Sequence, residues 1–338
     1  MPTRCWSVRI AILGLAVAAA GCRTGASPVP TSGVAGAAGV AGVAGPGAPP
    51  TTGQPGYGAP TVLGRLEDFA ISESSGLVAS RTNAGLLWTH NDSGDGPFVY
   101  CLAPSGTSCG TWRVTGAEAR DWEDAAAGPG PDPGAGYLYL GDIGDNAENL
   151  DQIIVYRVPE PAVTPGAATS TRDSPLATAP SEALRLRYPD GPHNAEALAV
   201  HPVTGDLYII AKAPTSMPMV YRAPAPLSVD RVTELVPVLG LRLPGFDRGS
   251  QEVTGGDIAP DGRRVALSTY TTGYELALPE GSGEDFDAIW RRPAAPVRLS
   301  SRRQGDAIAY RLDGQALLTT SEGAGENVVE LVRRPATG

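Results

Sequence analysis

The sequence predicts an all-β chain folded as a five-bladed β-propeller, and three features carry that reading. First, an acidic residue precedes a short run of Ala, Gly and apolar residues five times: Glu73-Ser-Ser-Gly-Leu, Glu123-Asp-Ala-Ala, Glu196-Ala-Leu-Ala, Asp257-Ile-Ala and Asp306-Ala-Ile-Ala. Second, the intervals between these acids, 50, 73, 61 and 49 residues, each accommodate the roughly 40 to 50 residues of a four-stranded blade. Third, the stretches between them read as strands, because β-branched, aromatic and leucine-rich runs alternate with Gly, Pro and Asp turn signals.

Taken from the N-terminus, residues 1–22 form a targeting segment. Arg4 and Arg9 flank an apolar run from Ile10 to Ala20, too short to cross a bilayer, which ends at small residues before Cys22. Residues 23–60 hold Gly, Ala, Pro, Ser and Thr with almost no charge or large apolar group. Such a stretch buries too little surface to offset its ordering entropy and is expected to be a flexible tether. The propeller is assigned to residues 61–335.

Within it, the interval after Glu123 offers Tyr137-Leu-Tyr-Leu, Ile153-Ile-Val-Tyr and Ala183-Leu-Arg-Leu. The interval after Glu196 offers Leu207-Tyr-Ile-Ile, Met219-Val-Tyr and Leu235-Val-Pro-Val-Leu. With the acid-led strand first, each unit has four strands. Pro159 to Ser181 is Pro-, Ala- and Thr-rich and reads as an insertion without strand pattern. After Asp306 only Ala316-Leu-Leu-Thr-Thr and Val328-Val-Glu-Leu-Val remain, leaving the last blade one strand short. The run Val62-Leu-Gly-Arg-Leu supplies that outer strand from the N-terminal side and closes the ring. A six-bladed ring is the alternative.

The chain carries a formal charge of −10, and Lys212 is its only lysine. An acidic surface with arginine as nearly its sole cation excludes nucleic acid and adhesion to anionic headgroups, and suits cations or cationic partners. Besides Cys5 and Cys22 the chain holds Cys101 and Cys109. In an oxidising compartment a disulfide across that short loop is expected, two unpaired thiols on neighbouring strands being the alternative.

In a propeller the first strand of each blade lines a central channel where small side chains are favoured, which the Ala- and Gly-rich runs provide. Glu73, Glu123, Glu196, Asp257 and Asp306 are then expected around one channel mouth. The polar connections opening on the same face carry His90, Asp92, Asp142, Asp145, Asn146, Lys212, Tyr270 and Glu322, with Asn194 nearby. A ring of carboxylates repels itself unless compensated. A hard cation with oxygen ligands compensates it most simply, and Ca2+ suits several carboxylates plus Asn and carbonyl oxygens better than Mg2+ does. The alternative is that each acid caps backbone N–H groups of the next blade or pairs with Arg120, Arg248, Arg302 or Arg303. Asn91-Asp-Ser-Gly-Asp-Gly96 partly imitates a calcium loop but has Leu102 where the closing Glu belongs, and reads as a polar turn. His201 reads as a surface turn, whereas His90 and His193 fall in functional-face connections as candidate general bases. No serine-hydrolase elbow, Walker loop, dinucleotide fingerprint or HExxH helix is present.

The ending Ala19-Ala-Gly-Cys22 resembles the bacterial lipobox, with Ala19 where Leu is usual. That resemblance implies lipidation of Cys22 and a chain tethered outside the cytoplasm at the cell envelope. The repeated acid-led motifs, each followed by a strand such as Leu86-Leu-Trp-Thr or Leu207-Tyr-Ile-Ile, resemble exported bacterial propellers of the phytase-like and NHL-like kind. In plan they are also similar to the gluconolactonase and paraoxonase group, which implies calcium in the channel mouth. A single lysine departs from phytase, whose phosphate-rich substrates call for several basic residues. Two functions follow as expectations: a non-catalytic, metal-stabilised module binding a ligand or protein partner at the cell envelope, or a calcium-dependent hydrolase of small esters, lactones or phosphoesters in which His90 or His193 relays a proton.

Overall fold

The computed structural model describes residues 56–166, 169–212, 217–245, 249, 251–300 and 307–334. The targeting segment with Cys22, the tether up to residue 55 and Asp306 lie outside the described residues. The chain opens with β1 (Thr61–Arg65), whose partner comes last. Blade 1 follows as β2 (Ser74–Ala79), β3 (Leu87–Asn91), β4 (Phe98–Leu102) and β5 (Ser108–Thr115). Blade 2 is built from β6 (Trp122–Pro129), β7 (Gly136–Asp142) and β8 (Ile153–Pro159). After β9 (Leu176–Pro180), β10 (Glu182–Arg187) completes that blade. Blade 3 comprises β11 (Ala195–Val200), β12 (Leu207–Ala211), β13 (Met219–Ala223) and, after the short β14 (Thr233–Glu234), β15 (Val236–Gly240). Blade 4 contains β16 (Val253–Ile258), β17 (Arg264–Thr269), β18 (Gly273–Ala277) and β19 (Ala295–Val297), with a 3-10 turn at Phe286–Arg291. Blade 5 has β20 (Ile308–Tyr310), β21 (Ala316–Thr319) and β22 (Asn327–Val332).

The five sheets form the five-bladed propeller the sequence predicts. β1 pairs antiparallel with β22 as the outer strand of blade 5. The chain thereby fastens its two ends together and removes the edge that an open ring would present. Gly106 makes the fit possible. It sits at φ +86° in the β4–β5 turn, and a Cβ there would lie 1.9 Å from the Arg65 carbonyl oxygen at the end of β1. Tyr57, ahead of β1, donates its hydroxyl to Glu275 of blade 4 at 2.6 Å.

Alternation along the strands explains the ring. Tyr137 and Tyr139 of β7 face blade 3, while Leu138 and Leu140 face blade 1. Likewise Leu207 and Ile209 of β12 pack toward blade 2, and Tyr208 and Ile210 toward blade 4. Each middle strand is apolar on both faces because a neighbouring blade covers each, and the result is five apolar cores between five pairs of blades. The outer strands β5 and β10 revert to buried–exposed alternation because one of their faces is left to solvent at the rim.

Three readings of the sequence are corrected here. The stretch Pro159 to Ser181 does contain a strand: β9 pairs parallel with β5, crossing from blade 2 to the outer edge of blade 1. β14 repeats the arrangement, pairing parallel with β10 of the preceding blade. Residues such as Leu176-Ala-Thr-Ala carry little strand pattern because they borrow order from an edge already formed. Cys101 and Cys109 are free thiols rather than a disulfide. Cys101 lies opposite Gly110 in the core between blades 1 and 2, and the partly exposed Cys109 packs against the same core within hydrogen-bonding reach of Cys101, its Sγ also 3.7 Å from the Thr107 carbonyl oxygen. His201 is buried, its Nδ1 accepting from the Thr204 N–H at 3.1 Å and its ring edge-on to Phe286.

Glu160, at the end of β8, locks blade 2 to blade 1. Its carboxylate accepts from the Ser80 hydroxyl, from the N–H groups of Arg81 and Thr82 at 3.0 Å each and from Trp88 Nε1 at 2.8 Å. Glu160→Ala takes the acceptor from four donors, of which Ser80 and Trp88 are buried, and is expected to cost about 3 kcal/mol, lowering the thermal midpoint by roughly 6–12 °C in differential scanning calorimetry.

Candidate functional site at the channel mouth

Four inner strands carry a β-bulge at their entry, and the bulges define one register around the axis. They fall between Ser74 and Leu77, at Glu123, at Glu196 and at Thr254. Glu123 and Glu196 are therefore true equivalents. Glu73 stands two residues before the corresponding Ser75 and is exposed, joined to Glu322 by a single bridge. Asp257 stands three residues past Thr254, which at about 3.3 Å per residue carries it roughly 10 Å further along the channel. It lines a small cavity of about 20 Å3 among Ala79, Arg81, Ala127 and Tyr310, at the exit ends of the inner strands. The structure thus does not bring Asp257 to the mouth where Glu123 and Glu196 stand. Its Oδ2 accepts from the Tyr310 N–H of the next blade at 2.7 Å, and burial raises its pKa to about 7.

At the mouth itself the carboxylates of Asp92, Asp121 and Glu123 each offer an oxygen within 4.8 Å of the other two. Asp92 comes from the β3–β4 connection, its N–H held by the Glu73 carbonyl at 3.0 Å. Asp121 precedes β6, its N–H donating to Asp142 Oδ1 at 2.8 Å. Gly144 backs the group: a Cβ there would lie 2.2 Å from Glu123 Oε1 and 2.3 Å from Asp121 Oδ2, so only glycine leaves the carboxylates this space. Burial, reinforced by Glu196, Asp92 and Asp121, pushes the Glu123 pKa up to about 10. Burial and the charges of Asp92 and Asp142 also raise Asp121.

Beside this group lies the chain's single lysine. Lys212 Nζ pairs with Glu196 and lies 2.5 Å from the Tyr270 hydroxyl, over that ring at 4.8 Å from its centroid. Burial opposes the ammonium charge, but Glu196 and Tyr270 more than offset it and the Lys212 pKa is raised. Burial lifts Glu196 to about 7 although Lys212 pulls the other way, with Asp92 and Glu252 adding to the rise.

The remaining candidates frame the site. Asp142 is 2% exposed and lies 3.7 Å from Arg120 Nη2. Asp145 Oδ2 accepts from the N–H groups of Asn149 and Leu150, each at 2.8 Å. Asn194 accepts from the Asp145 N–H at 2.8 Å and donates to Asn146 Oδ1 at 3.2 Å, tying blade 3 to the loop of blade 2. Asn91 and Asp95 of the calcium-like turn are spent within the fold. Asn91 Oδ1 accepts from Ser72 and Glu73 N–H groups, and Asp95 binds Tyr100, Arg172 and Asn91.

His90 is fully enclosed, edge-on to Trp122, with Nδ1 2.8 Å from the Asn91 carbonyl and burial lowering its pKa. His193 engages Asp190 at 3.1 Å and the Tyr221 hydroxyl at 2.8 Å in an aromatic group with Tyr188.

Three contributors escaped sequence reading. Asp121 and Glu252 lie just outside the acid-led motifs, although the density of Arg120-Asp-Trp-Glu-Asp124 was a signal. Asp124 is the third. It is wholly buried in the channel, accepting from Ala125 N–H at 2.8 Å, Leu198 N–H at 2.9 Å and Gly256 N–H at 3.1 Å, and so joins blades 2, 3 and 4 through one carboxylate.

No family model matches this chain, and no curated protein matches it. Among solved structures, one titled "Structure of U3-55K" aligns at 12% sequence identity over 77% of this chain and 67% of that chain, with a TM-score of 0.35.

Glu123 makes the stability of the cation-free protein pH-dependent. Its folded pKa of about 10 lies above the ordinary value of 4.5, so its proton-linked stabilisation is full below about pH 4.5 and is lost as pH rises toward about 10. In chelator, the thermal midpoint of Glu123→Gln is expected to fall less than that of the parent between about pH 5 and pH 9. Parallel curves would remove Glu123 as the titrating group.

Proposed function

We propose that the chain is an extracytoplasmic binding module, lipid-anchored at the cell envelope through Cys22, whose channel mouth holds Ca2+ and grips a ligand. The observation that carries the metal reading is the convergence of Asp92, Asp121 and Glu123 within 4.8 Å, with the glycine at Gly144 leaving room beside two of them. The donor set fits a hard cation, being all carboxylate oxygen with backbone carbonyls at hand. Binding would supply the positive charge in whose absence burial, reinforced by the neighbouring carboxylates, makes Glu123 keep its proton. Those three residues would hold the ion. When bound, the ion would supply positive charge at the mouth of an otherwise acidic channel.

Glu196, Lys212 and Tyr270 flank that position and offer a carboxylate, an ammonium and a phenol from blades 3 and 4. Together with the ion they favour a ligand bearing an anionic or oxygen-rich group. Asp142, Asp145, Asn146 and Asn194 keep the blade 2 loop in position. The hydrolase alternative needs a base free to take a proton beside the ion. His90 is enclosed and His193 is engaged with Asp190 and Tyr221, placements that favour binding over catalysis.

Calcium titration of the purified protein tests the reading. At a concentration about 100 times the dissociation constant, Ca2+ is expected to stabilise by about 2.7 kcal/mol, raising the thermal midpoint by roughly 5–10 °C. Asp121→Asn combined with Glu123→Gln should abolish the rise, whereas Asp257→Asn should preserve it. No rise in the parent protein would leave the carboxylates neutralised by protons and end the metal reading.

Lys212→Met separates the neighbouring pair. Loss of the ammonium should raise the Glu196 pKa above about 7, measurable by carboxyl NMR titration, while the calcium response persists with no more than about a tenfold change in affinity.

A further inference from the structure

Away from the channel, a cavity of about 350 Å3 opens between the outer strand of blade 3 and the 3-10 turn of blade 4. Its floor is apolar, with Leu241 and Leu276 each 1% exposed. Its polar lining consists of donors: Arg242, Arg291, Arg292 and Trp290. No Asp or Glu is among the described lining residues, in a chain with 36 acidic and 26 basic residues.

Several arginines elsewhere are spent on the fold, and the exposed ones of this cleft are not. Arg120, Arg157, Arg172, Arg222, Arg264 and Arg311 each meet a carboxylate. Arg242 and Arg291 are exposed and meet none among the described residues. Arg292 pairs with Glu284 through Nη2, yet its Nε–H is buried without an acceptor. Trp290 is 2% exposed, and its indole Nε1–H likewise has no acceptor. Both of these N–H groups are enclosed, so the donors open to a ligand in the cleft are the exposed guanidinium groups of Arg242 and Arg291.

We propose that this cleft binds a small amphiphilic carboxylate. Its apolar body would lie on Leu241 and Leu276, and its head group would meet the guanidinium groups of Arg242 and Arg291. Charge complementarity selects the class. Unpaired guanidinium groups at the rim of an apolar cleft recognise a carboxylate in a way that a neutral or cationic amphiphile cannot match. The volume lies at the small end of the range for small-molecule sites, which suits one short chain or one ring system rather than a folded partner. The inference is independent of calcium at the channel mouth, since none of its residues belongs to that site.

The experiment is isothermal titration of the purified full chain in chelator. Decanoate, decanol and decylammonium serve as probes, each kept below its micelle concentration. Decanoate is expected to bind at least about tenfold more tightly than decanol, with decylammonium weakest. The double substitution Arg242→Gln and Arg291→Gln lies on the surface and should leave the fold intact. It is expected to bring decanoate down to the affinity of decanol while leaving decanol unchanged. Equal binding of the three probes, undiminished decanoate binding by the double variant, or no decanoate heat would each overturn the proposal.

Discussion

Five inner strands share one axis, and the crowding there is the constraint from which the rest of the structure follows. A Cβ at Gly76 would lie 2.5 Å from both Ala125 N and His90 Nε2. A small residue is therefore required at that approach, and few side chains fit in the channel to satisfy its backbone. The chain answers with Asp124, one short carboxylate that accepts from N–H groups in three blades. Burial raises its pKa well above the ordinary range even though those N–H groups pull it down. Ser74 adds a smaller link, its hydroxyl lying 2.7 Å from that of Thr89 and 2.8 Å from that of Thr320 in blade 5.

The acidic residues consequently divide by what meets them. Asp124, Asp257 and Glu160 face backbone N–H groups of adjoining blades and are consumed by the fold. Glu275 belongs with them: it accepts from the hydroxyls of Tyr57 and Tyr310 and lies near Arg264 and Arg333, fastening the N-terminal segment over blades 4 and 5. Asp92, Asp121 and Glu123 instead face one another, with Glu196 and its lysine beyond. The same residue type thus supports the ring in one place and leaves charge to be compensated in another. The difference lies in whether N–H groups or carboxylates occupy the far side. The blade 3–blade 4 cleft is the counterpart, where the exposed guanidinium groups of Arg242 and Arg291 stand without a carboxylate among the described residues.

Much of the architecture was legible because it depends on local pattern. Tyr137-Leu-Tyr-Leu and Leu207-Tyr-Ile-Ile announce strands covered on both faces, and the shortage of strands after residue 306 pointed to closure by Val62-Leu-Gly-Arg-Leu. β9 and β14 were hidden because they pair at an outer edge, where solvent rather than side-chain pattern meets much of the strand. The channel-mouth site was half legible. Glu123, Glu196, Asp92, Lys212 and Tyr270 stood out as polar groups in the right connections. Asp257 was misplaced because acid-led motifs were matched by their text, whereas the structure matches blades by their bulges.

The sequence by itself determined the propeller class and the closure by an N-terminal strand, and favoured five blades over six. Each follows from hydrophobic period and strand count, which are written residue by residue. Tertiary structure alone decided which carboxylates stand together and which are spent on N–H groups. A bulge displaces everything after it by one residue, and one residue is the difference between a side chain in the mouth and one in the wall.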